Sequence, residues 1–131
     1  MDVTLESANV LMETHFPGLI GLTFTEVAPG RSVCKVTVSP KMHNPGGILH
    51  GSVPFTLADT GMAIALLPLL EEGQRFSTLE IKISYFKPVS AGDVFCTTVI
   101  SQRGKRIIFL ESEITDGTRI IAKATGTYYI S

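Results

Sequence analysis

The sequence has few of the residues from which metal sites and disulfide frameworks are built. It contains no tryptophan, two cysteines and three histidines among 131 residues. Cys34 and Cys96 stand far apart in strand-like runs, so they match no metal-ligand spacing, and one possible pair does not make a disulfide framework. We therefore predict two buried thiols and no metal site.

Charge is also scarce, and the two signs are balanced. The chain has 11 Lys and Arg against 12 Asp and Glu, a net charge of −1, so it lacks the basic excess that binds nucleic acids or anionic membranes. The longest apolar run, Thr60 to Leu70, is too short to cross a bilayer and contains Pro68. Asp2 and Glu6 stand where a signal peptide carries basic residues. These absences argue against nucleic acid and membrane as partners and favour a cytoplasmic protein.

The apolar content is high for a chain of this length. Hydrophobic residues make up 44% of the sequence and charged residues 18%, and the mean hydropathy is +0.30. A chain of 131 residues supports one hydrophobic core, so we predict a single domain over residues 1–131. Excess apolar surface is commonly hidden by self-association. We therefore expect a homo-oligomer.

The first third of the chain reads as a helix followed by a hairpin. Apolar residues recur at helical spacing from Leu5 to about His15, and Pro17-Gly18 ends that segment. Two runs rich in β-branched and aromatic residues follow, at Leu19–Val27 and Ser32–Val38, and Pro29-Gly30 between them is typical of a tight turn. The predicted order is therefore helix, strand, strand.

An irregular loop and a long apolar helix occupy the middle of the chain. Ser39 to Gly51 is rich in proline and glycine, which predicts a loop. Ser52 is expected to cap a helix of about 16 residues in which Pro54 falls in the first turn and Pro68 ends the helix. Its many small residues allow another surface to approach its backbone closely.

Four strands complete the chain, with expected bounds at Thr78–Tyr85, Val94–Gln102, Arg106–Thr115 and Thr118–Ile130. Polar and apolar residues alternate through the first of them, as in a strand with one wet and one buried face. Short turns, among them Asp116-Gly117, predict a four-strand meander. We expect an α+β fold in which a curved, mainly antiparallel sheet of about six strands wraps around one long central helix.

Asp59 is the unusual residue of that helix. It shares a helix face with the apolar residues Phe55, Met62, Ala63 and Leu66. No other charged residue lies between Lys41 and Glu71, and burying an unpaired carboxylate costs several kcal/mol or forces it to take up a proton. Two explanations are open. Asp59 caps a neighbouring backbone segment or pairs with a basic side chain, or it belongs to a functional site.

The loop before the helix offers a possible partner for that carboxylate. Gly46, Gly47 and Gly51 free the backbone, and Gly51 stands at the start of the helix. Free N–H groups there can stabilise negative charge that develops on an oxygen. The alternative is an ordinary glycine-rich turn.

The spacing of Gly51 and Asp59 constrains how they can act together. They are eight residues apart, so at ~1.5 Å per residue they lie about 12 Å apart along the helix. One carbonyl group cannot contact both within one chain. If both act on the same bond, one subunit supplies the amide and another the carboxylate, across a two-fold axis between antiparallel helices.

The run NPGGILHGSVPFTLAD, residues 44–59, followed by a strand at 77–85, resembles the hotdog-fold acyl-CoA thioesterases of the phenylacetate-degradation (PaaI-type) branch. That family's pattern has an Asn, a glycine, His-Gly-Gly and then Leu-x-Asp in the helix. The likeness covers about Val36 to the C-terminus. One departure is Ser52, which stands where the family usually has a second glycine.

The resemblance implies a role for each matching residue. Asp59 would be the nucleophile or the general base that activates water, and the N–H of Gly51 would polarise the thioester carbonyl. His50 would support the loop, and Asn44 would help to place the thioester or the water. Thr78, at a position where some members carry a hydroxyl group, would also hold the water. Such hydrolysis needs no metal and no cofactor other than the CoA of the substrate.

Substrate contacts follow less directly from the sequence. The pocket walls are expected to include Phe55 and Met62 together with residues of a partner subunit. Arg103, Lys105 and Arg106 form a basic turn that would meet the CoA phosphates, and the alternative is a solvated hairpin tip. Neither the acyl group nor the choice between homodimer and homotetramer can be read from the residues.

Two other functions compete with thioester hydrolysis. The sequence HFPG at residues 15–18 resembles a signature of hotdog hydroxyacyl dehydratases, but there it precedes the central helix, whereas here it precedes the first strand. We interpret it as a helix stop. A non-catalytic acyl-CoA-binding module is the second alternative, and the joint presence of Asn44, Gly51 and Asp59 argues against it.

Overall fold

A computed structural model describes residues 2–131, in which two helices, six strands and three short 3₁₀ turns follow one another. The helices are α1 (Leu5–Thr14) and α2 (Ser52–Leu66). The strands are β1 (Thr23–Ala28), β2 (Arg31–Thr37), β3 (Phe76–Tyr85), β4 (Asp93–Arg103), β5 (Ile107–Thr115) and β6 (Ile120–Ile130). The 3₁₀ turns are Phe16–Ile20, Pro40–Met42 and Leu67–Leu69.

All six strands form one antiparallel sheet that packs on α2, which confirms the predicted α+β hotdog architecture. The strand order is β1-β2-β4-β5-β6-β3. The predicted four-strand meander is therefore wrong for β3, which pairs with β6 and not with β4. The segment 86–92 permits this crossing, because an extended chain of that length spans roughly 23 Å, more than the roughly 14 Å between strands three places apart. Alternation predicts a strand but not its neighbour.

The two edges of the sheet differ. On β1, the side chain of Asn9 in α1 bonds the backbone of Phe24 twice, accepting from its N–H at 2.7 Å and donating to its carbonyl oxygen at 3.1 Å. The outer edge of β3 has no such cover in residues 2–131. An uncovered edge of ten residues is a site where another strand can pair.

The first strand begins later than predicted. Phe16–Ile20 is a 3₁₀ turn, and the extended chain starts only at Thr23. Pro17 lacks an N–H for a sheet ladder, and Gly21 has a φ of 69°, a left-handed conformation that interrupts a strand. The predicted helix stop is confirmed, since α1 ends at Thr14 with His15 as its C-cap.

Helix α2 lies very close to the sheet because glycines lie at the contact. A Cβ on Gly61 would stand 2.8 Å from Oγ1 of Thr98, and the hydroxyl of Ser32 donates to the carbonyl of Gly61 at 2.7 Å. On the sheet side, Gly126 leaves room for the side chain of Met62. Residues 52–69 are long and apolar enough for a membrane span by length and composition alone, and half of that stretch is buried in the fold. Contact with the sheet accounts for its apolar character.

The predicted burial of both cysteines is confirmed. Cys34 and Cys96 are free thiols with no exposed surface, and they lie directly opposite each other on β2 and β4. The sequence placed them in strands, but only the strand order makes them neighbours.

Candidate active site

The loop before α2 is organised by Asn44. Its side-chain oxygen accepts hydrogen bonds from the backbone N–H groups of Gly46 at 2.8 Å and Ile48 at 3.4 Å. The backbone N–H of Asn44 donates to the carbonyl of Ile48 at 2.8 Å. The loop is thereby closed on itself. Within residues 2–131 the amide nitrogen of the Asn44 side chain has no hydrogen-bond partner, so it is available to a ligand.

His50 and Tyr85 hold the junction between loop and helix. The Nδ1 atom of His50 accepts the N–H of Ser52 at 3.0 Å and lies 2.7 Å from the Ser52 hydroxyl. Ser52 is thus the first helical residue and not the predicted N-cap, a position that Gly51 occupies. The cause is local, because the imidazole satisfies the N–H at the helix start in place of a serine side chain. The hydroxyl of Tyr85 donates to the carbonyl of Gly51 at 2.6 Å.

The N–H of Gly51 has no acceptor in the part of the chain that the structure describes. It stands at the positive end of the α2 dipole, where an N–H stabilises negative charge. Gly51 and Asn44 line the same cavity of about 350 Å³, together with Tyr85, Phe86 and Lys87. Asp59 is not among the lining residues.

Asp59 is partly buried, and its side chain has one hydrogen-bond partner in residues 2–131, the Tyr128 hydroxyl, at 3.3 Å from Oδ1. No basic side chain pairs with it, and it caps no backbone segment in this range. Burial raises the pKa of the Asp59 carboxyl, and the bond from Tyr128 lowers it by a smaller amount. The ordinary structural explanations for this carboxylate therefore fail within a single chain.

A β-bulge in β3 places Thr78 on the same face of the sheet as Tyr128. The pairing of β3 with β6 shifts between Thr78 and Glu80, which leaves Leu79 as the extra residue. Strict alternation would put Thr78 on the wet face with Glu80. Because of the bulge, Thr78 pairs with Tyr128 and shares its inner face, and the Thr78 side chain lowers the pKa of the Tyr128 phenol.

Sequence reasoning missed Tyr128. It lies in the last strand with no exposed surface, and nothing in the local sequence separates it from Tyr129 beside it. Only the register of β6 and its packing on α2 show that its hydroxyl reaches Asp59.

The two residues expected to line the acyl pocket, Phe55 and Met62, differ in burial. Phe55 is 37% exposed near the start of α2. Met62, in contrast, has no exposed surface and packs against Gly126. In the single chain Met62 is a core residue, because the glycine on β6 admits its side chain between helix and sheet, and its place in a pocket shared with a partner subunit stays a prediction.

The basic turn lies at the Tyr128 end of the sheet. Arg103 pairs with Ile108 of β5, which pairs in turn with Tyr128 of β6, so the three residues form one row across the sheet. Arg103, Lys105 and Arg106 are all exposed and form no ion pair within residues 2–131. Both predicted roles of this turn, binding of a ligand anion and a solvated hairpin tip, are compatible with this position.

The candidate residues thus form two groups. Asn44, His50 and Gly51 surround the start of α2. Two turns further along, Asp59 accepts a hydrogen bond from Tyr128, which pairs with Thr78 across the sheet. At ~1.5 Å per residue the Gly51 and Asp59 backbones are separated by about 12 Å along the helix. One chain does not bring the two groups to a single bond.

The raised pKa of Asp59 predicts a stability effect. The pKa of the Asp59 carboxyl is higher in the folded than in the unfolded state, so folding favours its protonated form. The stability that this gives is complete below the unfolded pKa, about 4. It is lost as pH rises through the folded pKa. Asp59→Asn, which cannot ionise, should therefore unfold at higher denaturant concentration than the native chain at pH 7. Denaturant titrations at pH 7 and below pH ~4 measure this, and the gain should vanish at the acid pH. A less stable variant at pH 7 would contradict it.

The sequence is similar to a known protein family and to several of its members. A sequence profile of the thioesterase superfamily matches residues 46–123. The 1,4-dihydroxy-2-naphthoyl-CoA hydrolase of Listeria monocytogenes is 32% identical over 99 residues, which cover 76% of this chain and 80% of that protein. Acyl-coenzyme A thioesterase 13 of Mus musculus is 28% identical over 112 residues, 83% of this chain and 79% of that protein.

The fold is also similar to that of a solved structure. A mutant of the phenylacetic acid degradation protein PaaI of Thermus thermophilus superposes with a TM-score of 0.78 at 26% identity, covering 92% of this chain and 97% of that chain. The chain belongs to the thioesterase superfamily and is a thioester hydrolase of the hotdog fold. The predicted resemblance to PaaI-type members is confirmed.

Proposed function

We propose that this protein hydrolyses an acyl-CoA or aryl-CoA thioester to the free acid and CoA, and that it needs no metal and no further cofactor. The observation that carries the proposal is Asp59, a partly buried carboxylate on the central helix that has no cation beside it and only the hydroxyl of Tyr128 as a partner within residues 2–131. Membership of the thioesterase superfamily supports the reaction class.

Each proposed group has a chemical task. Asp59 takes a proton from water as the water attacks the thioester carbonyl, or attacks that carbonyl itself to form an anhydride that water then opens. The N–H of Gly51 donates to the oxyanion, and Asn44 places the carbonyl or the water. The C–S bond breaks, and the CoA thiolate leaves and takes up a proton. Label in Asp59 after a single turnover in ¹⁸O-labelled water would establish the nucleophilic route, because water that opens the anhydride at the Asp59 carbonyl leaves its oxygen in that carboxylate.

Two further contacts complete the proposal. Thr78 helps to hold the attacking water, and Phe55 with partner residues forms the acyl pocket. Arg103, Lys105 and Arg106 bind the CoA phosphates, supported by their exposure and their lack of ion pairs within residues 2–131.

We further propose that the active unit is at least a homodimer, as dimer or tetramer. The separation of Gly51 from Asp59 along α2 requires a second chain if both act on one carbonyl. The free edge of β3 offers a place for that chain, and Leu79, Tyr85 and Phe86 beside it are more than half exposed. Sedimentation or light scattering should therefore show no monomer.

An assay of thiol release tests the reaction. The panel should contain aliphatic and aromatic CoA thioesters, among them 1,4-dihydroxy-2-naphthoyl-CoA, because a relative of this chain is named for it. We expect release from at least one thioester, unchanged by a chelator. Binding without release across the panel would favour an acyl-CoA-binding module. Conversion of a 3-hydroxyacyl-CoA to the enoyl product would favour a dehydratase.

Mixed oligomers test whether the site is shared between chains. Asp59→Asn and Gly51→Pro are each expected to be inactive, but a hybrid dimer combines the intact Asp59 of one chain with the intact Gly51 of the other. The two variants are unfolded, mixed in equal amounts and refolded together. About a quarter of native activity should return, because half of the dimers are hybrids and each hybrid has one complete site out of two. If the mixture stays as inactive as its components, the two residues do not act across an interface.

A further inference from the structure

Tyr128 is a buried polar residue to which the proposed mechanism gives no task. It has no exposed surface, and its ring packs against that of Phe76 with centroids 5.9 Å apart. Its hydroxyl lies 3.3 Å from Oδ1 of Asp59 and 3.4 Å from the Asp59 carbonyl oxygen. A buried phenol needs a hydrogen-bond partner, and here both acceptors belong to the same residue.

The direction of the hydrogen bonds follows from the available protons. An ionised carboxylate can only accept, so the Tyr128 hydroxyl donates to Asp59. Thr78 pairs with Tyr128 across the two strands, and its side chain lowers the pKa of the Tyr128 phenol, which burial raises by more. The observed side-chain contact is therefore the one from the Tyr128 hydroxyl to Asp59, and Thr78 lies beside it on the same row of the sheet.

We propose that Tyr128 is a positioning residue for Asp59: by donating to Oδ1 it fixes the carboxylate and keeps it ionised, and it leaves Oδ2 for the reaction. The proposal rests on the proposed role of Asp59 as base or nucleophile.

The surroundings of Asp59 make this one contact important. Helix α2 carries no other charged residue, and among the titratable groups of residues 2–131 only Tyr128, on β6, shifts the pKa of Asp59. Burial raises that pKa and the Tyr128 bond lowers it. Loss of the hydroxyl should therefore raise the pKa further, because no other group in the described residues stabilises the charge of this carboxylate.

Tyr128→Phe tests the proposal, because it removes the hydroxyl and keeps the ring. We expect kcat at neutral pH to fall about tenfold, the size expected for a hydrogen bond to a charged group, with little change in KM. The acid limb of the kcat profile should move to higher pH. Tyr129→Phe is the matched control, since Tyr129 pairs with Ser77 on the adjacent row of β3 and has no contact with Asp59. Its profile should match that of the native protein.

Further measurements separate positioning from stability and from the reaction itself. ¹³C NMR titration of the Asp59 carboxyl should show a higher pKa in Tyr128→Phe than in the native protein. A lower melting temperature with an unchanged pH profile and unchanged Asp59 pKa would overturn the proposal. If the pKa moves but Asp59→Asn still hydrolyses thioesters, the contact between Tyr128 and Asp59 stands and the proposed catalytic role of Asp59 fails.

Discussion

Asp59→Asn is expected to lower the kcat for CoA release by roughly 10²-fold or more, the typical contribution of a group that transfers a proton or attacks the substrate. The amide has nearly the shape of the carboxylate and can still accept the hydrogen bond of Tyr128, but it can neither take a proton from water nor form an anhydride. The fold and the oligomer should persist, because no ion pair is lost. Thiol release under saturating substrate measures the effect.

Glu113→Gln is the matched control for that experiment. It also converts a carboxylate to an amide, but on the outer face of β5, where Glu113 is exposed and opposite Lys123. Its activity should equal that of the native protein. Full activity in Asp59→Asn would remove the proposed catalyst and leave only the family membership.

Replacement of Gly51 by proline is expected to lower kcat by about 10² to 10³, the usual cost of a lost oxyanion donor. Proline removes the N–H and suits the local backbone, since the φ of Gly51 is −58° and proline adopts about −65°. The hydrogen bond from Tyr85 to the Gly51 carbonyl needs no N–H and can persist. Thioester hydrolysis and the mass of the oligomer would both be measured.

Gly51→Ala separates the loss of the donor from the effect of added bulk. A Cβ at this position would lie 3.1 Å from the ring and hydroxyl of Tyr85, so the tyrosine must shift by a few tenths of an ångström in both variants. Alanine keeps the N–H and should retain activity within about tenfold of native. Equal losses in the two variants would show that crowding against Tyr85, and not the missing donor, causes the defect.

Much of the site was readable because it is local in sequence. Asn44, His50, Gly51 and Asp59 lie within one loop and one helix. A single carboxylate among apolar helix residues is a pattern that can be recognised in the sequence. Tyr128 had no such signal. It is 69 residues from Asp59 along the chain, and tyrosines in strands are ordinary core residues. The cytoplasmic location and the absence of a cofactor stay predictions.

The sequence by itself determined the elements: periodicities of 3.6 and 2 residues, together with proline and glycine at the breaks, located both helices and the strands to within a few residues. Tertiary structure decided which strands lie side by side. The crossing of β3 to β6, the bulge at Leu79 and the approach of Tyr128 to Asp59 all depend on contacts between distant segments. Local patterns specify which face of an element is apolar, whereas partner and register follow from how those faces fit together in space.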